Sequence, residues 1–92
     1  MISLGRLYTI IGRVQGVGFR HFTYRTALGM GIVGYVKNLS NGNVEVYVQN
    51  QDEALLNRFE ERLTKGPSFA RVQAVQSVEE KKDRHYCDFI IE

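Results

Sequence analysis

Leu7 to Val14 is a run of β-branched and apolar residues with few polar interruptions, the pattern of a strand buried inside a sheet. It breaks at Gln15-Gly16-Val17-Gly18. From Phe19 the period lengthens: Phe22, Thr26 and Met30 recur every four residues with Ala27 on the same face, which predicts a helix stopped by Gly29 and Gly31. Ile32 to Leu39 reads as a second strand and Val44 to Gln49 as a third. In the third, Val44, Val46 and Val48 point one way and Glu45, Tyr47 and Gln49 the other, the alternation of a half-buried antiparallel strand. Between them, Ser40-Asn41-Gly42-Asn43 predicts a hairpin, because Asn-Gly tolerates positive φ at both positions.

A second helix follows, with Asn50 and Asp52 as candidate N-caps and an apolar stripe of Leu55, Leu56, Phe59 and Leu63 at spacings of three and four. Gly66-Pro67 ends it. Ala70 to Glu80 reads as a fourth strand, whose Val72, Val75 and Val78 alternate imperfectly and leave room for a bulge. Lys81 to His85 is a polar turn and Cys87 to Glu92 a short fifth strand. No repeat, low-complexity tract or linker divides the chain, so residues 1–92 are expected to form one domain. Two strand–helix–strand units joined by a hairpin give an α+β class and a ferredoxin-like split βαβ arrangement, β-α-β-β-α-β plus the short fifth strand. Right-handed crossovers place both helices on one face of a mainly antiparallel sheet. The first strand then lies inside the sheet, and its carboxyl end opens into the Gly-rich loop, where open α/β sheets tend to bind ligands.

Composition narrows the function classes without choosing one. Hydrophobic residues at 43% and charged residues at 24% describe an ordinary globule rather than a disordered or fibrous chain. A formal net charge of +2 favours small anions by steering but falls short of a nucleic-acid footprint. The charges are interspersed, with Glu60 and Glu61 beside Arg58 and Arg62, and Glu79 and Glu80 beside Lys81 and Lys82, as on solvated faces. Cys87 is the only cysteine, so no disulfide can form within the chain, which suits a reducing compartment. Met1-Ile2-Ser3-Leu4-Gly5 lacks the basic and long apolar stretches of a signal peptide, and no apolar run approaches the ~20 residues of a membrane span. The expectation is a cytoplasmic monomer with no membrane partner.

The stretch that carries chemistry is Gly12-Arg13-Val14-Gln15-Gly16-Val17-Gly18-Phe19-Arg20. It sets a glycine-rich loop between a strand and a helix N-terminus. Gly16 and Gly18 let the backbone take positive φ, so that successive N–H groups converge as an anion nest backed by the helix dipole. Arg20 stands at the mouth, where a planar guanidinium fork grips two phosphate oxygens. As a bare pattern, a phosphate site and a tight turn beside an exposed arginine carry equal weight. The loop lacks the Lys-Ser/Thr of a Walker loop and the acidic residue of a dinucleotide site.

That stretch, with Gly34-Tyr35-Val36-Lys37-Asn38, Asn41-Gly42-Asn43-Val44-Glu45-Val46, Gly66-Pro67-Ser68-Phe69-Ala70-Arg71-Val72 and Phe89-Ile90-Ile91, resembles the acylphosphatase family. The likeness covers nearly the whole chain. It implies the ferredoxin-like fold and hydrolysis of the carboxyl-phosphate anhydride of small acyl phosphates, with no metal and no cofactor. By the resemblance, Gln15, Gly16, Val17, Gly18, Phe19 and Arg20 bind phosphate, and Arg20 and Asn38 are catalytic, Asn38 orienting the attacking water. This chain departs from the family at Asn41, where Asp is frequent, at His21, where an aromatic such as Tyr is frequent, and at Gln49-Asn50, where a glycine commonly ends the strand.

Two readings of other classes stand beside it. One is a non-catalytic anion-binding module. The other is an RNA-binding domain, for which Tyr8, Tyr35, Tyr47 and Phe69 would be a stacking set. Aromatics on strands more often pack, and Gly18-Phe19-Arg20 lies in the first loop rather than on the third strand where an RNA motif belongs, so no nucleic-acid partner is expected. His21 and His85 have no Cys, Asp or Glu at metal-ligand spacing, His21 is expected to pack or cap beside the loop, and Cys87 is expected to be a buried strand residue.

Overall fold

The computed structural model describes residues 3–50 and 52–92. Met1 and Ile2, read above as the start of a segment without leader character, and Gln51 lie outside them. The elements run β1 (Ser3–Arg13), α1 (Phe19–Met30), β2 (Val33–Asn38), β3 (Val44–Gln49), α2 (Glu53–Lys65), β4 (Arg71–Lys82) and β5 (Phe89–Ile91). They form one sheet in the order β4-β1-β3-β2-β5, antiparallel throughout except for the β2–β5 pair, with the ferredoxin-like α+β architecture expected from the sequence.

Local chemistry accounts for the boundaries. The α1 helix ends at Gly31, which is left-handed at φ 68°, and the N–H of Ile32 turns back to the Ala27 carbonyl at 2.9 Å. Asp52 caps α2 by accepting the Leu55 N–H at 3.1 Å, and Gly66 closes the far end. The β4 bulge is present: Ile11 pairs with Ala74 and Gly12 with Val72, so Gln73 is the extra residue. The predicted β2–β3 hairpin is present, joining Asn38 to Val44. Only Gly42 takes positive φ, and Asn41 instead accepts the Asn43 N–H through its side chain.

The core lies between sheet and helices. Tyr8, Ile10, Val44, Val46 and Val48 meet Phe19 and Ala27 from α1 and Leu56, Phe59 and Leu63 from α2. The buried stripe of α1 is Phe19, Thr23, Thr26 and Ala27, rotated from the Phe22–Thr26–Met30 line read from the sequence. The two threonine hydroxyls donate to the carbonyls of Phe19 and Phe22, so they are buried without loss.

The opposite face is not left to solvent. The connection from β4 to β5 folds across it and sets Tyr86 against Tyr35 and Tyr47, which leaves β3 covered on both sides. Tyr47 is therefore fully buried, where alternation alone predicted a half-exposed partner for Glu45 and Gln49. Gln49 ties this connection down, donating to the Arg84 carbonyl at 2.6 Å and accepting the Tyr86 N–H at 2.8 Å. Cys87 sits in the connection and is exposed, not a buried strand residue, because β5 begins only at Phe89.

One polar group in the core is unmatched. The Tyr8 hydroxyl is buried beside Phe59 and makes no hydrogen bond. Burial pushes its pKa up from 10.0 to about 12, with the nearby charge of Arg6 pulling the other way. A phenol held neutral in the fold contributes fully below pH 10, and that contribution is lost as pH rises from 10 through about 12. An orphan hydroxyl costs roughly 1–3 kcal/mol, so Tyr8→Phe is expected to stabilise the protein by about 1 kcal/mol. Urea denaturation at neutral pH checks the gain, and a lower stability of the variant would refute it.

Candidate active site

The chain leaves β1 at Arg13 and enters α1 at Phe19, reversing through Val14 to Gly18. Gly16 and Gly18 take φ 74° and 80°, left-handed values that L side chains rarely adopt. A Cβ at either position would meet nothing within 4 Å, so it is the backbone conformation, not crowding, that requires glycine. Gly18 is the N-cap of α1 and has no side chain to cap it, and no acidic residue lies in the first turn. The first helical bond runs from the Phe22 N–H to the Gly18 carbonyl at 3.0 Å, which leaves the N–H groups of Phe19, Arg20 and His21 outside the helical ladder. Among the described residues no group accepts the N–H of Gly16, Val17 or Gly18 either. The result is an uncapped cluster of donors at the positive end of a helix.

These donors border a cleft of about 260 Å³ lined by Gly16, Gly18, Arg20, His21, Asn38 and Ile91, among others. Residues 18 positions apart in sequence, Arg20 and Asn38, thus share one cavity, because the crossover through α1 brings the end of β2 beside the end of β1. Arg20 is exposed, and its Nη1 donates to the main-chain oxygen of Glu92 at 2.9 Å. Glu92 is in turn pinned to β2, its N–H donating to the Val36 carbonyl at 2.8 Å. Asn38 is half-buried, and its side-chain oxygen is enclosed with no hydrogen-bond partner.

The side chain of Gln15 is committed elsewhere. Its Nε2 donates to the carbonyls of Leu39 at 2.7 Å and Asn43 at 2.8 Å, so it straps the loop to the β2–β3 turn immediately beyond Asn38. Phe19 is buried in the core and also lines the cleft. His21 is exposed on the rim, its ring stacked on Tyr24 with centroids 6.3 Å apart. Sequence reasoning missed two contributors: the carbonyl of Glu92, which orients Arg20, and Ile91, which lines the cleft. Neither has a side-chain signature, since one acts through its backbone and the other is an ordinary strand residue.

The aromatic set considered for RNA is dispersed. Tyr8 is in the core beneath the helices, Tyr35 and Tyr47 are buried under Tyr86 on the other face, and Phe69 stands alone at 82% exposure. Among the described residues no three His, Cys, Asp or Glu groups are placed to hold a metal ion, and no helix is long and apolar enough to cross a membrane.

The Gln15 strap gives a direct test. Gln15→Leu removes two side-chain hydrogen bonds, each worth on the order of 1 kcal/mol, while the Leu39 and Asn43 carbonyls keep the N–H groups of Gly42 and Leu39. The variant is expected to lose about 2 kcal/mol in chemical denaturation, with faster amide exchange in residues 39–43. Unchanged stability and exchange would show the strap to be incidental.

Comparison with known proteins covers nearly the whole chain. A family model described as Acylphosphatase matches residues 7–91. The chain is 50% identical to an acylphosphatase of Nitratidesulfovibrio vulgaris over 70 residues, 76% of this chain and 69% of that protein. It is 48% identical to one of Thermotoga maritima over 80 residues, 87% of each. The crystal structure of acylphosphatase from Bacillus subtilis superposes with a TM-score of 0.89 at 32% identity, covering 97% of this chain and 98% of that one. With a match of that extent, this chain belongs to the acylphosphatase family.

Proposed function

We propose that this chain performs its acylphosphatase chemistry in the cleft between the Gln15–Arg20 loop and the end of β2, with Arg20 and the loop N–H groups holding the phosphoryl group and Asn38 holding the attacking water. The observation that carries the assignment is the convergence of an uncapped helix N-terminus, Arg20 and the unmatched Asn38 oxygen on one cavity. A dianionic phosphoryl group finds there both a field and donors. Charge-assisted hydrogen bonds contribute roughly 1.5–3 kcal/mol each. The Glu92 main-chain oxygen holds the guanidinium by one nitrogen and leaves the rest of its fork for phosphate oxygens.

The chemistry asks little more of the protein. The leaving group is a carboxylate, whose conjugate acid has a pKa of about 4–5 like Asp or Glu, so it departs without a general acid. Phosphoryl transfer is then mostly positioning and charge stabilisation. The water oxygen bonds to phosphorus as the bond from phosphorus to the carboxylate oxygen breaks. The electron pair of that bond leaves with the carboxylate, and one water proton passes to a phosphate oxygen, giving dihydrogen phosphate. Asn38 is neutral, so it anchors water beside an anionic substrate without repelling it. An enclosed acceptor without a partner costs roughly 1–3 kcal/mol, and a water donating to Asn38 recovers that cost when it binds. The same reading takes residues 1–92 as one domain acting as a cytoplasmic monomer without metal, cofactor or nucleic acid.

Two experiments test it. With benzoyl phosphate as substrate and EDTA present, Arg20→Ala is expected to lose both phosphate affinity and turnover. Asn38→Ala is expected to bind inorganic phosphate as wild type does and to lose about 10²–10³-fold in kcat, the scale for one positioned group. Full turnover by Asn38→Ala would exclude its water-holding role. Since the phosphate itself takes the proton, kcat is also expected to be flat from about pH 6 to 8 once substrate ionisation is allowed for. A limb set by an enzyme group within that range would point instead to a protein base.

A further inference from the structure

The phosphate loop and Asn38 extend from strands that do not touch. Strand β3 lies between β1 and β2, and Ile10, Val44 and Asn38 form the last row across the three. Asn38 is thus two strand spacings from β1, about 10 Å. Past that row the β1–β3 ladder stops. Ile11, Gly12 and Arg13 pair with β4 alone, and residues 14–18 belong to no strand. The two halves of the site therefore leave the sheet separately, one through the loop and the other through the 39–43 turn. Among the described residues, the hydrogen bonds that join loop to turn come from one side chain, that of Gln15.

The Gln15 amide reaches across the end of β3. Its Nε2 donates to the Asn43 carbonyl, just before β3 begins, and to the Leu39 carbonyl, just after β2 ends. An amide nitrogen has two hydrogens, and both are used, so this side chain has no donor left for a phosphate oxygen. The two acceptors are fixed within the turn as well. The Leu39 N–H donates to the Asn43 carbonyl at 2.8 Å, and the Gly42 N–H to the Leu39 carbonyl at 3.2 Å. One end of the strap is thus a closed turn. The other end adjoins Gly16, whose left-handed φ of 74° begins the nest. Leu39 follows Asn38 directly, so any slip of the strap moves the asparagine relative to the nest.

We infer that Gln15 is a positioning residue that sets the spacing between the phosphate nest and Asn38, and so governs turnover rather than phosphate affinity. The inference rests on the water-holding role proposed for Asn38 above. The nest, the helix end and Arg20 all lie on the loop side of the strap, so a phosphoryl group meets the same donors without it. Asn38 lies on the other side. Attack by water depends steeply on placement, and an error of about 1 Å costs on the order of 10²-fold. Gln15 accordingly serves the phosphate through its main chain only.

The test separates binding from turnover. Gln15→Met keeps the length of the side chain and removes both donors, and Gln15→Leu is the second variant. For each, kcat with benzoyl phosphate and Kd for inorganic phosphate are measured at a temperature where denaturation shows the protein folded. Asn38→Ala, Gln15→Met/Asn38→Ala and Asp52→Ala are measured alongside, the last removing the α2 cap outside the cleft. Each Gln15 variant is expected to lose about tenfold to 10²-fold in kcat and to keep its phosphate Kd within about twofold of wild type. The double variant is expected to turn over as slowly as Asn38→Ala and no slower, because no water-holding group is left to misplace. Asp52→Ala is expected to keep the wild-type kcat. Wild-type kcat in either folded Gln15 variant would overturn the inference. Phosphate affinity falling in step with kcat would also overturn it, by returning the Gln15 side chain to phosphate binding. So would additive losses in the double variant, or an equal loss in Asp52→Ala. Full turnover by Asn38→Ala would remove the water-holding role and this inference with it, whereas failure of the Gln15 variants alone leaves that role standing.

Discussion

The whole cleft depends on how the chain passes from β1 into α1 without letting the N–H groups of that turn find partners inside the protein. Most helices spend their first donors on a Ser, Thr, Asp or Asn cap. Here the N-cap is Gly18, the left-handed turn at Gly16 precedes it, and the first turn has no acidic side chain. An Asp at position 18 would satisfy the donors intramolecularly and occupy the place of an anion. On the function proposed above, the missing cap is both a loss to helix stability and the condition for binding. The loop is held in place by other means, chiefly the Gln15 amide spanning two carbonyls of the β2–β3 turn. That strap fixes the loop relative to the residue next to Leu39, which is Asn38.

The second support comes from the far face of the sheet. The tyrosine cluster of Tyr35, Tyr47 and Tyr86 is roofed by cations, with Lys82 5.0 Å from the Tyr47 ring and Arg84 4.4 Å from that of Tyr86. The Tyr35 hydroxyl donates to Glu45 at 2.7 Å, and burial followed by that carboxylate raises its pKa. A small domain buries a modest fraction of its surface, so a second apolar cluster is a substantial addition to the main core. It also sets the path of the β4–β5 connection, which decides where β5 enters the sheet. From there the dependence runs to the carbonyl of Glu92 and so to Arg20.

Elements with a strong period were legible from the sequence, and the exceptions have physical causes. The α2 stripe, the β3 alternation, the β4 bulge and the Gly31 and Asp52 caps all follow from local patterns. Tyr47 defied its alternation because a distant connection covers it, which no local pattern encodes. Asn41-Gly42 marked the hairpin, although only Gly42 takes positive φ and the Asn41 side chain accepts the Asn43 N–H. The fifth strand was legible as a run but too long at its start, so Cys87 was placed inside when it lies in the exposed connection. At the site, Arg20, Asn38 and the glycines carry residue-type signals. Glu92 reaches Arg20 through its main-chain oxygen and becomes visible only in three dimensions.

The arrangement of Arg20 has a consequence for how activity is lost. Arg20 and its main-chain partner at Glu92 are 72 positions apart, and Glu92 directly follows β5, a three-residue strand at the edge of the sheet. Edge segments with few bonds open at lower free energy than the core that supports them. Fraying of β5 ahead of β1, β3 and the helices would release the guanidinium from its anchor. With Arg20 in the role proposed for it, catalytic competence would then melt ahead of the protein as a whole, and the working range would be set by the weakest seam rather than by the stability of the core.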